Sequence, residues 1–215
     1  EDNSAPKMKQ YKLGLEGLSN KEQKFGAAIE HDLAIKKSHN KTSVEKLAAT
    51  LGITTKNEVK ELTELAIVNR ARYLAHSEGT IKERFDRIVA LYHLQVNLSH
   101  RTSQSILLQQ YSTPAPIGYL AGVFCGVDRL QFTGGFAFEP SAGNGLLTIA
   151  AKPERVYVNE LDPFRNNNLK TQGFANVWNR DATKAFMDAQ ATFNAVITNP
   201  PFGKLDDTVM YDSFP

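Results

Sequence analysis

The chain has 215 residues, of which 41% are apolar and 22% are charged. This globular balance excludes intrinsic disorder, collagen-like repeats and low-complexity classes. The net charge of +2 is too small to indicate a nucleic-acid or membrane partner by itself. Residues 1–110 hold 17 basic and 13 acidic residues, whereas residues 111–215 hold 8 and 10, so the two halves are expected to present different surfaces.

A single cysteine, Cys125, excludes an internal disulfide framework and a cysteine-rich zinc site. Because it lies among Leu120, Val123 and Phe124, we expect a buried thiol rather than a nucleophile. No apolar run approaches the roughly 20 residues of a membrane span, and no basic-then-apolar leader opens the chain. The sequence therefore predicts a soluble cytoplasmic protein with no membrane association and no bound metal.

Up to about residue 108 the apolar residues recur at helical spacing, which predicts an all-α domain over residues 1–108. The predicted helices cover residues 22–39, 44–51, 55–76, 81–98 and 103–110.

The segment Val44–Ile53, with the helix after it, is similar to a helix-turn-helix of DNA-binding proteins. We favour an ordinary helix pair ended by Gly52. Acidic residues of the second helix, Glu58, Glu61 and Glu64, would repel DNA phosphates.

Residues 109–215 alternate short β-rich runs with helix-like segments. The predicted strands are 136–139, 156–160, 176–179 and 195–198, and the predicted helices are 146–151, 163–172 and 183–189. This alternation predicts an α/β domain with a parallel, doubly wound sheet. Ligands of such sheets bind where the carboxyl ends of strands meet a switch in strand order.

A glycine-rich run follows the first of these strands. Gly143 and Gly145 allow a tight turn and close approach of a ligand, and the helix predicted after them would present free N–H groups. Glu139, at the strand end, can accept a hydrogen bond from a cationic amino group.

Two further acids follow at regular spacing. Glu160 lies 21 residues after Glu139, and Asp181 lies another 21 residues on. Each acid alone would be a solvated loop carboxylate, but acids at three successive strand ends favour a nucleotide-like ligand, with Glu160 at ribose and Asp181 at adenine.

The most specific motif, Asn199-Pro200-Pro201-Phe202, comes directly after an apolar strand. The two prolines end the strand, since neither can donate to a sheet. Asn199 and Pro200 offer two carbonyl acceptors that can hold both N–H bonds of an amino group. Phe202 offers a face to a flat ring.

These motifs together resemble the amino-terminal half of class I S-adenosylmethionine-dependent N6-adenine DNA methyltransferases of the type I and related modification systems. The segment Tyr111-Ser112-Thr113-Pro114 resembles the one that lies over the cofactor methionine, and Thr113 is expected to cap the next helix. The resemblance assigns the target base to Asn199, Pro200, Pro201 and Phe202. It assigns contacts with S-adenosyl-L-methionine to Tyr111, Ser112, Thr113, Glu139, Pro140, Ser141, Ala142, Gly143, Gly145, Glu160, Leu161, Asp181 and Ala182.

The resemblance also implies a Rossmann-like sheet cut after its fourth strand, because the chain stops 13 residues after Phe202. We therefore expect a truncated chain that holds the cofactor half of the domain over residues 109–215, is inactive alone, and needs downstream domains or a partner subunit to read DNA.

Two alternatives remain at this stage. The same fold can methylate adenine in RNA or glutamine in protein. The chain can also be a non-catalytic module that binds DNA or a partner, as its basic first half would suggest.

Overall fold

The computed structural model describes residues 15–94, 112–184 and 193–200, and within them the chain forms seven α-helices and one four-stranded sheet. The helices are α1 (Asn20–Ala34), α2 (Lys41–Thr50), α3 (Lys56–Ala75), α4 (Ile81–Leu94), α5 (Ala115–Phe124), α6 (Leu130–Thr133) and α7 (Pro163–Lys170). The strands are β1 (Ala137–Glu139), β2 (Val156–Asn159), β3 (Asn176–Trp178) and β4 (Ala195–Val196). The predicted helix 103–110 and most of 183–189 lie outside the described residues.

Helix α3 is the central element of the helical part. It contacts α1, α2 and α4 of the helical part and α5 and α7 of the α/β part. The Thr55 hydroxyl caps its first turn by accepting from the N–H of Glu58. Since 13 of its 20 residues are buried, α3 has no face free to enter a DNA groove. The structure thus contains the ordinary helix pair.

A serine, a histidine and an aspartate line up at the junction of α1 and α2. His39 Nε2 lies 2.7 Å from Asp32 Oδ2, and His39 Nδ1 lies 3.0 Å from Ser43 Oγ. The same hydroxyl donates to the Asn40 carbonyl at 2.8 Å, within the capping box that starts α2. Because that proton is already engaged, the arrangement joins two helices and does not activate a nucleophile.

The sheet is entirely parallel, with strand order β3-β2-β1-β4. Phe138 of β1 lies opposite Tyr157 of β2 and Val196 of β4. All four predicted strands and the parallel α/β class are confirmed. The chain moves from β1 to β2 and β3 on one side and returns with β4 on the other, so the order reverses between β1 and β4.

The crossover from β1 to β2 corrects one prediction. Instead of a helix over 146–151 it contains only a 3₁₀ turn, Leu146–Thr148. The Thr148 hydroxyl donates back to the Gly145 carbonyl at 2.8 Å, and Pro153 begins another 3₁₀ turn that leads directly into β2. The carbonyls of Thr148 and Ala151 accept from Arg72 of α3, so the segment is held by a contact with another helix and does not continue as an α-helix. The predicted α-helical N-terminus after the glycine loop is therefore replaced by a single 3₁₀ turn.

Helix α5 covers this short crossover. A Cβ atom on Gly118 would collide with the Leu146 carbonyl oxygen, and one on Gly122 would lie 2.6 Å from the Cβ of Ala150. The two glycines share one face of the helix, because they are four residues apart. Their lack of side chains allows the helix to lie directly on the crossover backbone.

The opposite face of α5 is apolar and exposed. Ile117, Leu120 and Phe124 are 59%, 45% and 93% exposed, and the Cys125 thiol is exposed as well. The prediction of a buried Cys125 is wrong, because α5 buries the face with Ala115, Gly118, Tyr119 and Gly122 and leaves Cys125, just after its end, exposed.

Among the described residues, one hydrophobic cluster runs from α1 and α3 through α5 into the sheet. The predicted domain boundary at 108/109 falls outside the described residues and stays a prediction. No helix within the described ranges is long and apolar enough to cross a membrane.

Candidate functional site

The carboxyl ends of β1, β2 and β4 meet at the point where the strand order reverses. The loop after β1 folds over the end of β2, where the Ala142 N–H donates to the Asn159 carbonyl at 2.9 Å. Gly143 and Gly145 have φ of +57° and +96°, a left-handed conformation that other residues rarely adopt. The predicted role of these glycines in a tight turn agrees with this geometry.

Glu139 ends β1 with a fully buried carboxyl group. Its Oε1 atom accepts from the Ser141 N–H at 2.9 Å. Within the described residues its Oε2 atom makes no hydrogen bond of normal geometry. Burial raises the pKa of Glu139 to about 8, opposed by the Ser141 N–H and the Thr198 hydroxyl. Such a group gains most from a cationic ligand, which would both pair with Oε2 and favour the ionised form.

Glu160 follows β2 and is also buried. One oxygen accepts from the Gly143 N–H and the other from the Asp162 N–H, each at 2.8 Å. Burial raises the pKa of Glu160, while these N–H groups and Arg165 act in the opposite direction. The carboxylate therefore holds the glycine loop, and each oxygen keeps a second lone pair for a hydroxyl. Leu161, next to it, is 49% exposed.

Asn159 is a site residue that the sequence analysis missed. Its Nδ2 atom donates to the carbonyls of Pro140 (3.0 Å) and Arg180 (2.9 Å), and its Oδ1 atom accepts from the Arg180 N–H (3.0 Å). The side chain thereby ties the loop after β1 to the loop after β3. A polar residue at the end of an otherwise apolar strand was the available signal.

Asp181 lies in the loop after β3, where Ala182 is exposed. The hydroxyl of Thr183 donates to Asp181 at 2.7 Å, and together with the Thr183 N–H it holds the pKa of this carboxyl below its usual value. Asp181 is thus ionised and shapes its own loop. Among the described residues it makes no hydrogen bond to the other predicted site residues.

The structure brings Asn199 and Thr113 together, although they lie 86 residues apart. The Asn199 Nδ2 atom donates to the Thr113 hydroxyl at 3.1 Å. The expected capping role of Thr113 is wrong: α5 begins at Ala115, its N-cap is Pro114, and no side chain caps it. The contact with Asn199 places the segment before α5 beside the segment after β4.

Tyr111, Pro201 and Phe202 lie outside the described residues. Pro200 is exposed.

The second missed feature is a buried polar network between α3 and the glycine loop. Arg165 Nε donates to Glu61 Oε2 at 2.8 Å, and Asn144 Nδ2 donates to the same oxygen at 2.7 Å. Burial alone would raise the pKa of Glu61, but the charge and hydrogen bonds of Arg165 hold it below its usual value. The signal was Asn144 itself, a polar residue between two glycines.

Arg72 extends this network from the other end of α3. Its guanidinium donates to the carbonyls of Thr148 (3.1 Å) and Ala151 (3.3 Å) and to Gln172 Oε1 (3.1 Å). It thereby satisfies carbonyls that the 3₁₀ crossover leaves without helical partners.

No family model, curated protein or solved structure matches the chain. Within residues 15–94, 112–184 and 193–200, no three His, Cys, Asp or Glu side chains come together as a metal site requires.

Proposed function

We propose that this chain holds the cofactor site of an S-adenosylmethionine-dependent methyltransferase acting on the N6 amino group of adenine in DNA. The observation that carries the proposal is the hydrogen bond between Asn199 and Thr113, at the edge of the sheet that also bears Glu139 and Glu160. Four parallel strands in the order 3-2-1-4 support it, since that is the first half of the Rossmann-like sheet expected for such enzymes.

The buried acids fit the proposed cofactor. Glu139 carries a buried Oε2 atom that makes no hydrogen bond of normal geometry among the described residues, which suits the ammonium of the methionine moiety. Glu160 keeps acceptor capacity beside the exposed Leu161, which suits ribose hydroxyls next to a flat base. When bound, S-adenosylmethionine would supply an electrophilic methyl group on a sulfonium centre.

The protein's part in the chemistry is to prepare the attacking nitrogen. The exocyclic amine of adenine is a poor nucleophile, because its lone pair is delocalised into the ring. With Nδ2 of Asn199 donating to Thr113, Oδ1 has no hydrogen bond within the described residues. Oδ1 and the Pro200 carbonyl would accept the two N–H bonds of the amine and favour a tetrahedral nitrogen, which is transition-state stabilisation combined with positioning.

The target base must leave the duplex, which takes a few kcal/mol, and stacking on Phe202 would recover part of that energy. No general base is required to start the attack: the nitrogen would gain the methyl group and a positive charge, S-adenosylhomocysteine would be the other product, and the nitrogen would then lose its proton to water.

Two measurements test this proposal. Calorimetric titration with S-adenosylmethionine should show binding that Glu160→Ala weakens. Transfer of a labelled methyl group to adenine in duplex DNA, assayed with the chain in its natural polypeptide, should be lost in Asn199→Ala while cofactor binding is kept. Labelling of RNA or protein alone would contradict the choice of DNA, and an absence of cofactor binding would contradict the proposal as a whole.

A further inference from the structure

One carboxylate of α3 bonds to two separate parts of the candidate site. Glu64 Oε1 accepts from Asn144 Nδ2 at 3.1 Å, and Glu64 Oε2 accepts from the Ser112 hydroxyl at 2.6 Å. Asn144 belongs to the glycine loop, and Ser112 directly precedes Thr113, the partner of Asn199. We call the glycine loop with Asn144 and the segment Ser112–Thr113 the two walls of the site. Glu64 is therefore a bridge between them.

The Asn144 side chain cannot touch a ligand itself, since the residue is 1% exposed. Its Oδ1 atom accepts from Asn168 Nδ2 at 2.9 Å, and its backbone carbonyl accepts from Gln172 Nε2 at 2.9 Å. Lying between Gly143 and Gly145, it fixes the backbone of a loop whose glycines would otherwise have wide freedom. The residues that hydrogen-bond Asn144 therefore also fix the conformation of the glycine loop.

The two acids of α3 differ in what they can do. Glu61 is 1% exposed and paired with Arg165 and Lys60, so it is a rigid anchor. Glu64 is half-buried and makes one bond to each wall; its charge also stabilises the Arg165 guanidinium, but the ion pair of Arg165 is with Glu61 and remains when Glu64 is replaced. A change at Glu64 should therefore alter the relation of the two walls without leaving a fully buried charge unpaired.

We infer that Glu64 is a positioning residue, through which the helical part holds the glycine loop and the Ser112–Thr113 segment in register for S-adenosylmethionine. The inference rests on the proposed function and gives the helical part a role in it: α3 preorganises the cofactor site. Preorganisation of this kind raises affinity because the ligand no longer has to order the loop.

The test is calorimetric titration of the 215-residue chain with S-adenosylmethionine, using graded variants of Glu64. Glu64→Gln keeps one acceptor oxygen and should weaken binding several-fold, whereas Glu64→Ala keeps none and should weaken it on the order of tenfold. Glu58→Gln is the matched control on the same helix, since Glu58 bonds Lys21 and Thr55 and neither wall. It should bind like the wild type.

A second substitution separates positioning from direct contact. If Ser112 acts through Glu64, Ser112→Ala should weaken binding in the wild-type chain and have no further effect in the Glu64→Ala chain. A full additional loss in that background would mean that Ser112 touches the cofactor directly and would overturn the bridge. Thermal unfolding of each variant shows that the titrated protein is folded.

The outcomes distinguish the two proposals. Wild-type binding that Glu64→Ala leaves unchanged overturns the inference alone. Failure of the folded wild-type chain to bind overturns the proposed function and the inference together.

Discussion

Replacing Glu139 by glutamine should remove a loss of stability that grows from acid to neutral pH, and it should abolish binding of S-adenosylmethionine. The carboxyl group is fully buried, and burial raises its pKa from 4.5 to about 8. Glutamine has nearly the same size, and its amide oxygen can still accept from the Ser141 N–H. The substitution therefore removes an ionisable group without creating a cavity.

The magnitude follows from proton linkage. Between pH 4.5 and about 8 the folded chain keeps a proton on Glu139 that the unfolded chain has released. Below pH 4.5 both the folded and the unfolded chain hold this proton, and the group's contribution to the free energy of unfolding is fully present. Above pH 4.5 that contribution falls by about 1.4 kcal/mol for each pH unit, and it is lost once the folded chain also ionises, near pH 8. Glutamine does not titrate, so the variant does not show this fall. Between acid and neutral pH, the difference in free energy of unfolding between the two proteins should therefore shift by about 3 kcal/mol in favour of the variant.

Urea unfolding of both proteins at several pH values across this interval measures the effect. The difference in free energy of unfolding should widen steadily toward pH 8. A difference that does not change with pH would show that Glu139 ionises normally in the folded chain and would refute the reasoning.

The pH dependence of ligand binding also tests the raised pKa of Glu139. An α-amino group stays protonated up to pH of roughly 8. Wild-type affinity for S-adenosylmethionine should therefore rise with pH as Glu139 ionises, up to about pH 8, and fall above it as the ligand's amino group loses its proton. Affinity that is flat with pH, or binding retained by Glu139→Gln, would exclude an ionic contact at this carboxylate.

Three other predictions concern the fold. Gly118→Ala should destabilise the protein by about 1–3 kcal/mol or more in urea unfolding, because the new methyl group would meet the Leu146 carbonyl, whereas Leu120→Ala on the exposed face should change stability by less than about 1 kcal/mol. Arg165→Met should cost about 3–5 kcal/mol at pH 7 by leaving Glu61 buried without its main partner, and this loss should shrink as pH falls and Glu61 takes up a proton. The Cys125 thiol should react with one equivalent of a thiol reagent in the folded protein, and protection until unfolding would contradict its exposure.

Local signals were sufficient to predict the sheet. Short apolar runs bounded by glycine, proline and asparagine located β1 to β4, and the alternation with helices gave their parallel direction. The predicted strand ends also located Glu139 at the end of β1 and Glu160 directly after β2, at the same edge of the sheet, because the carboxyl ends of parallel strands lie at one edge.

The errors came from contacts between distant segments. The apolar pattern of residues 146–151 is helical, but the segment is pinned by α5 and by Arg72, which no local pattern reveals. Cys125 has apolar neighbours in sequence, yet the helix buries its glycines instead. Glu61 was considered only as an acid that would repel DNA phosphates, whereas the structure pairs it in the core with Arg165, 104 residues away.

The pairing of Glu61 with Arg165 bears on how such a protein can be recombined. A recombination point between the helical and the α/β segments would join the α3 of one parent protein to the α7 of another. Unless both parents carried opposite charges at these two positions, the hybrid would bury a lone ion, which is strongly destabilising. The two segments are therefore expected to be inherited together, since neither tolerates an arbitrary partner.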